Sequence, residues 1–296
     1  MYPSTLATPT YLPFLLLLVA VLGLWIHRYV WAGGLLAAVI TAYFTDGLYG
    51  YAFIWIALLG LAAVVYRLRI TNPGFGLPPW AYCLAFGAVA LWIGIAPPLG
   101  FPRTPFVDSV ILSPGAAVWS LGLGFNKVIT GIFILGILHQ ERVQSWRELA
   151  KVLKRIAPVF LVTLVAVMIF AMALGYVRFD PKWTPLFLVW APVNLFFTCL
   201  AEEAFFRGFV QRELSAIGSN RKLASIIAVI VTALLFGLAH FGGGWKYALV
   251  AAMGGMGYGW AYHRTQRIEA AMAVHFALNA THFLLFTYPA ILPESS

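Results

Sequence analysis

Ten apolar runs, parted by short polar breaks, account for most of the chain. They lie at about residues 10–27, 30–45, 50–66, 80–96, 124–139, 156–177, 185–210, 223–240, 246–262 and 269–288. The breaks carry proline, glycine or charge: Asn72-Pro73-Gly74, Pro97-Pro98, Pro102 to Pro105, Arg178 to Pro185 and Ser219 to Lys222. In hydrocarbon a segment must satisfy its own backbone hydrogen bonds, which selects helices. A helix that crosses the bilayer needs roughly 20 residues, so the pattern predicts an all-α polytopic integral membrane helical bundle of about 8–10 transmembrane helices with no soluble domain. One stretch fits less well. Residues 106–123 (FVDSVILSPGAAVWSLGL) are moderately apolar but hold Asp108 and Ser113-Pro114-Gly115, and read equally as re-entrant, interfacial or an eleventh element.

Composition narrows the class. The 296 residues are 62% hydrophobic and 10% charged, against about 45–50% and about 25% in soluble domains. A soluble, disordered, fibrous or disulfide-stapled chain is excluded on those grounds. Cys83 and Cys199 both sit in apolar stretches and read as small hydrophobes. Arg28, the first positive charge, follows the first apolar run, so that run reads as a retained helix and not as a signal peptide.

The net charge of +9 is spread between the runs and not gathered on one module, which argues against a nucleic-acid partner. Assigning alternate loops to one side collects 13 of the 19 Lys and Arg there: Arg28, Arg67, Arg69, Arg142, Arg147, Lys151, Lys154, Arg155, Arg212, Arg221, Lys222, Arg264 and Arg267. Arg103, Lys127, Arg178, Lys182 and Lys246 fall on the other side, and Arg207 lies inside a run. The bias makes the richer side cytoplasmic and both termini external. Residues 142–155 (RVQSWRELAKVLKR) read as a basic connecting helix lying at anionic headgroups.

Ionisable groups inside a membrane are costly and mark function. The chain has ten acidic residues, and two of them, Glu202 and Glu203, are adjacent within an apolar run. On a helix, Glu203 shares a face with Arg207 four residues on, within ion-pair reach. Glu202 points about 100° away and lacks that partner. The next run ends with Phe236 and His240 on one face before Gly242-Gly243-Gly244, and the last run aligns His275, Asn279 and His282. His282 reads more simply as a headgroup contact than as a third participant. A carboxylate and an imidazole can activate water, and an amide with a second imidazole can steady an oxyanion. His240, His275 and a carboxylate would equally accept zinc, although the HExxH arrangement is absent. No cofactor is required by the residues themselves, and zinc stays open.

Glu202-Glu203-x-x-x-Arg207, Phe236-x-x-x-His240 and His275-x-x-x-Asn279, in that order, resemble the CPBP family. These are the CAAX proteases and bacteriocin-processing enzymes, also called the Abi family, whose best-known member is the type II CAAX prenyl endopeptidase. The resemblance implies a glutamate-dependent intramembrane endopeptidase acting on a membrane-anchored peptide or protein, in a bacterial inner membrane. It implies Glu202 as general base on water, His240 as its assistant, His275 and Asn279 as the oxyanion site, and Glu203, Arg207 and Phe236 in support. It makes residues 151–296 the protease core, with its motifs in 185–288, and residues 1–150 accessory helices of unassigned role. Processing of prenylated proteins, peptide maturation, sorting-tail processing and bacteriocin immunity are open alternatives. An ion- or proton-coupled transporter and a non-catalytic scaffold compete with them. Straight helices rising ~1.5 Å per residue would place Glu203, His240 and His275 at roughly 16, 27 and 10 Å from the basic side. A shared site therefore requires tilt, offset or a break, with Gly237 and Gly242 to Gly244 as candidates.

Overall fold

The computed structural model describes residues 11–72, 74, 76–95, 100–139 and 141–292. The Pro73 and Pro97-Pro98 breaks and both chain ends lie outside the described residues. Among those described, ten helices follow one another: α1 (Leu12–Gly23), α2 (Arg28–Phe44), α3 (Tyr51–Thr71), α4 (Pro79–Ile95), α5 (Asn126–Leu138), α6 (Trp146–Ala173), α7 (Leu186–Ser215), α8 (Arg221–Ala239), α9 (Trp245–Thr265) and α10 (Ile268–Leu285). Five of them, α3, α6, α7, α8 and α10, are long and apolar enough to cross a membrane, while α1, α2, α5 and most of α4 are shorter apolar helices. Leu36, Phe44, Ile54, Leu61, Leu84, Val162, Leu188 and Leu238 are exposed around the bundle, as an apolar solvent permits. This is a helical polytopic membrane protein.

One open reading is resolved and one expectation is corrected. Residues 106–123 do not span: β1 (Thr104–Val110) and β2 (Trp119–Leu123) form an antiparallel hairpin. Pro102 and Pro105 remove helical hydrogen bonds, and Gly115, at φ +68°, supplies the left-handed residue in the connection. Trp119 then packs on Trp190 of α7 and Phe283 of α10. Nor is 142–155 a separate surface helix. Ser145 accepts from the Glu148 backbone N–H while Glu148 accepts from that of Gln144, a reciprocal cap. From there α6 runs unbroken through Pro158 to Ala173, so its basic residues are the first turns of a spanning helix.

Hydrogen bonds sort the loops onto two faces. On one, Glu269 Oε1 accepts from the Trp25 indole at 2.6 Å and the Val143 backbone at 2.9 Å, Arg267 pairs with Glu148, and Arg212 reaches the Leu138 carbonyl. On the other, Ala117 bonds Ala290, Thr287 bonds Arg178, and Lys182 bonds Leu284. The hairpin turns back on itself, and Asn126 at the start of α5 donates to the Ile93 carbonyl near the end of α4, so it adds no crossing between the two helices.

Small residues bring α8 and α9 together. A Cβ on Gly237 would lie 2.7 Å from the Ala248 carbonyl oxygen, so Gly237 is a packing site inside an intact helix and not a break. The break comes at His240 to Gly244, where a short turn leads through Gly244 at φ +95° into α9.

Candidate active site

The long helix α7 is not uniformly α. π-helical turns at Asn194–Cys199 and Ala204–Gln211 flank the single α turn Leu200–Glu203. Such widened turns recur at functional sites because they re-aim side chains. Here they bracket the two glutamates.

Glu203 and Arg207 are wholly buried. Arg207 Nη1 lies 3.0 Å from both Glu203 oxygens, and its Nη2 donates to the Gly255 carbonyl at 2.8 Å. The guanidinium also sits over Phe236 and Tyr258, at 4.8 and 5.3 Å from the ring centres. On the opposite side, His275 Nδ1 meets Glu203 Oε1 at 2.7 Å, with its ring stacked on Tyr258 at 4.3 Å. A carboxylate oxygen accepts, so Nδ1 carries the proton and Nε2 is left for other chemistry. Glu203 thus orients a histidine while its own charge is neutralised by arginine.

Glu202 faces elsewhere. Its side chain is 12% exposed, with Lys127 Nζ 3.6 Å from Oε1 and His240 Nε2 3.9 Å from Oε2. His240 is the residue that caps α8, and its Nδ1 donates to the Phe236 carbonyl at 2.7 Å. That bond sets the tautomer and turns Nε2 towards Glu202. Phe236 and Tyr247 hold the ring at 4.4 and 5.1 Å.

The depth conflict between straight helices is met by offset. Gly255 of α9 lies against both Arg207 of α7 and Ala233 of α8. Level with Arg207, α8 is therefore already well into the bundle, and its far end brings His240 to Glu202.

Asn279 Nδ2 donates to Asn194 Oδ1 at 3.2 Å, one turn along α10 from His275, and Cys199 Sγ contacts the same Asn194 oxygen at 3.3 Å. His282 Nε2 approaches the Thr287 carbonyl at 3.2 Å, which ties the last helix to the tail that follows it. A cavity of about 1120 Å³ has Glu202, His240, His275 and Asn279 in its wall, and it extends to Trp119, Tyr176 and Tyr288 on the hairpin face. Among the described residues no group of three His, Cys, Asp or Glu side chains is placed to hold a metal ion.

Glu202, Glu203, Arg207, Phe236, His240, His275 and Asn279 therefore meet at one place. Three neighbours of these side chains escape sequence reasoning: Lys127, Asn194 and Tyr258. Lys127 reads as one more loop cation, and the signal available was that it opens an apolar run. Asn194 is a lone amide in an apolar segment and carries no charge to attract notice. Tyr258 offers no signal apart from its contacts.

Residues 183–281 match the family model described as type II CAAX prenyl endopeptidase Rce1-like. The match covers a third of the chain, contains all three motifs, and agrees with the resemblance they carry. It ties this segment to CAAX-type intramembrane proteases at the level of the family. No curated protein and no solved structure matches the chain. With the apolar helices, the match makes this a multi-pass integral membrane protein.

Proposed function

We propose, from the premise of that Rce1-like segment, that the protein is an intramembrane endopeptidase. It hydrolyses a peptide bond of a membrane-anchored peptide or protein with water activated by Glu202 and His240. The observation that carries this reading is the Glu202–His240 pair, 3.9 Å apart in the wall of a cavity large enough for a peptide strand. The gap is too long for a direct hydrogen bond but suits a water that donates one proton to each acceptor. Such a water turns its lone pair away from both and towards an incoming carbonyl carbon. As the C–O bond forms, Glu202 takes the water proton, and it returns that proton to the departing amine when the C–N bond breaks. His275, oriented through Nδ1 by Glu203, and the second N–H of the Asn279 amide line the position of the oxyanion. Glu203, Arg207 and Phe236 position these groups. We place the Lys- and Arg-rich face in the cytoplasm of a bacterial inner membrane, so that the cavity runs from the glutamates towards the opposite face.

The test is cleavage of a membrane-anchored reporter peptide in liposomes. Glu202→Gln and His240→Ala are each expected to lower kcat by about 10²–10⁴, the range for a general base. Asn279→Ala is expected to lower it by about 10². Full activity in all three variants would overturn the assignment.

A further inference from the structure

The wall of the large cavity includes a length of sheet edge. Trp119, Ser120 and Leu121, consecutive in β2, lie in that wall, and no residue of β1 (Thr104–Val110) does. Successive side chains of a strand point to opposite faces, so a cavity that meets three in a row runs along the strand's edge. β1 pairs with the other edge, and among the described residues no strand covers this one. An uncovered edge presents a row of N–H and C=O groups ready for another chain. The approach to β2 already accepts one. Ala117 donates to the Ala290 carbonyl, and Ala116 forms an antiparallel bridge with Ile291 of the tail.

We infer that the open edge of β2 binds the substrate backbone as an added strand, so that the protein reads an extended polypeptide through its main chain. The inference rests on the protease reading and adds a substrate class to it: a segment free to leave helical structure beside the cleaved bond. The edge and the catalytic groups border one cavity, and a stripe on α7 joins them. Trp190, Asn194, Thr198 and Glu202 all line that cavity at four-residue spacing. Trp119 of β2 packs in one cluster with Trp190, where the stripe begins, and Glu202 ends it. At ~1.5 Å per residue the stripe rises about 18 Å. An extended chain covers that length in about 5–6 residues. A peptide bond at Glu202 and His240 therefore places the chain a few residues away alongside β2. The hairpin lies outside the matched segment 183–281, so this grip comes from the N-terminal half of the chain.

An N-methyl scan is the test, because a methyl on an amide removes its donor and blocks close approach to an edge. The probes are N-palmitoylated peptides longer than that span, in liposomes, methylated at one amide at a time. A strand bound along one edge turns every second amide towards it. KM should therefore rise by about 10-fold at alternate positions and hardly at those between. The sensitive positions should fall within about six residues of the cleaved bond, all on one side of it. Loss at consecutive positions, or at none, would overturn the added strand. Ser120→Pro and Leu121→Pro each remove one β2 N–H, and successive N–H groups point to opposite edges. One of the two should therefore weaken the alternation, and an unchanged scan in both would overturn the assignment to β2. Should both fail to fold, Ser120→Cys, at an exposed position, is expected to form a disulfide, with copper–phenanthroline as oxidant, to a cysteine at a sensitive peptide position and not to one beyond the cleaved bond. Equal capture at both, or capture at neither, would overturn the assignment. The same scan read as affinity for Glu202→Gln, by fluorescence anisotropy, separates the two ideas. If the wild type cleaves none of the peptides while binding keeps the alternation, the protease reading fails and the added strand stands. Cleavage without alternation in KM or affinity overturns the strand and leaves the protease reading. Absence of binding to every peptide overturns the strand.

Discussion

Replacing Arg207 by Met tests the architecture beneath the site. Arg207 heads the fully buried side chains of the described residues, and its guanidinium is in contact with Glu203, the Gly255 carbonyl and three aromatic rings. Methionine keeps much of the aliphatic packing but leaves Glu203 with His275 as its remaining partner. Removing one member of a buried ion pair costs about 3–5 kcal/mol. Orphaning the Gly255 carbonyl adds about 1–3 kcal/mol. His275 Nδ1 still donates to Glu203, so the low end of both ranges applies, and the sum is about 4 kcal/mol. At roughly 2–4 °C per kcal/mol for a chain of this size, Tm should fall by about 10 °C. Intrinsic tryptophan fluorescence during a thermal ramp in detergent reads that change. Arg207→Lys, which keeps the charge and loses the second donor, should fall between the two. In a double-mutant cycle with Glu203→Gln, the pair should lose less than the sum of the singles, by about 2 kcal/mol. An Arg207→Met protein melting within 2 °C of wild type (~0.5–1 kcal/mol), or a strictly additive cycle, would refute the buried-pair reasoning.

Other consequences can be checked with simpler measurements. Glu269→Ala leaves the Trp25 indole and the Val143 N–H without their shared acceptor; a loss of about 2–4 kcal/mol is expected in chemical denaturation, whereas Glu269→Gln, which retains a carbonyl, should lose less. Gly257→Leu should prevent stable folding, seen as aggregation on size-exclusion chromatography, because even its Cβ would lie 2.2 Å from Thr163 Oγ1 and 2.8 Å from Thr163 Cβ. Asp180, in the loop between α6 and α7, has its carboxyl held below the usual range by a hydrogen bond from Ser113, aided by Lys182 and Arg178. A carboxyl depressed by folding stabilises the fold above its unfolded value of about 4, and that stabilisation is lost as pH falls through the folded value. Protease sensitivity of the hairpin should therefore rise below about pH 4 in wild type, while Asp180→Asn should show the raised sensitivity already at neutral pH and no acid step.

Legibility followed the range of the interaction. The pairing of Glu203 with Arg207, the shared face of Phe236 and His240, and the alignment of His275 with Asn279 all depend on spacing within one helix, and all are readable from numbers in the sequence. The hairpin was hidden because its strand period is blurred: Val107, Val110, Leu112 and Leu121 all help to pack its cluster, and the apolar character resembles that of a spanning segment. Lys127 is invisible for a different reason. Its place beside Glu202 depends on the hairpin returning the chain to start α5 partway along α7, a long-range event with no local signature. The depth conflict arose from assuming that all helices start at one level, which the packing of Gly255 against both Arg207 and Ala233 contradicts.

The π-helical turns of α7 make its tolerance to a change of length depend on where the change falls. A π turn accommodates one more residue than an α turn, so removing one residue from 194–199 closes the widened turn to a regular one and leaves the segments on either side in nearly their present orientation. The single α turn Leu200–Glu203 has no such slack. A residue lost there turns one end of α7 against the other by about 100°, and either Trp190 leaves its stack on Phe283, 4.6 Å between ring centres, or Glu202 leaves His240. The hydropathy of the helix is the same in both cases, and only the second deletion takes the site apart.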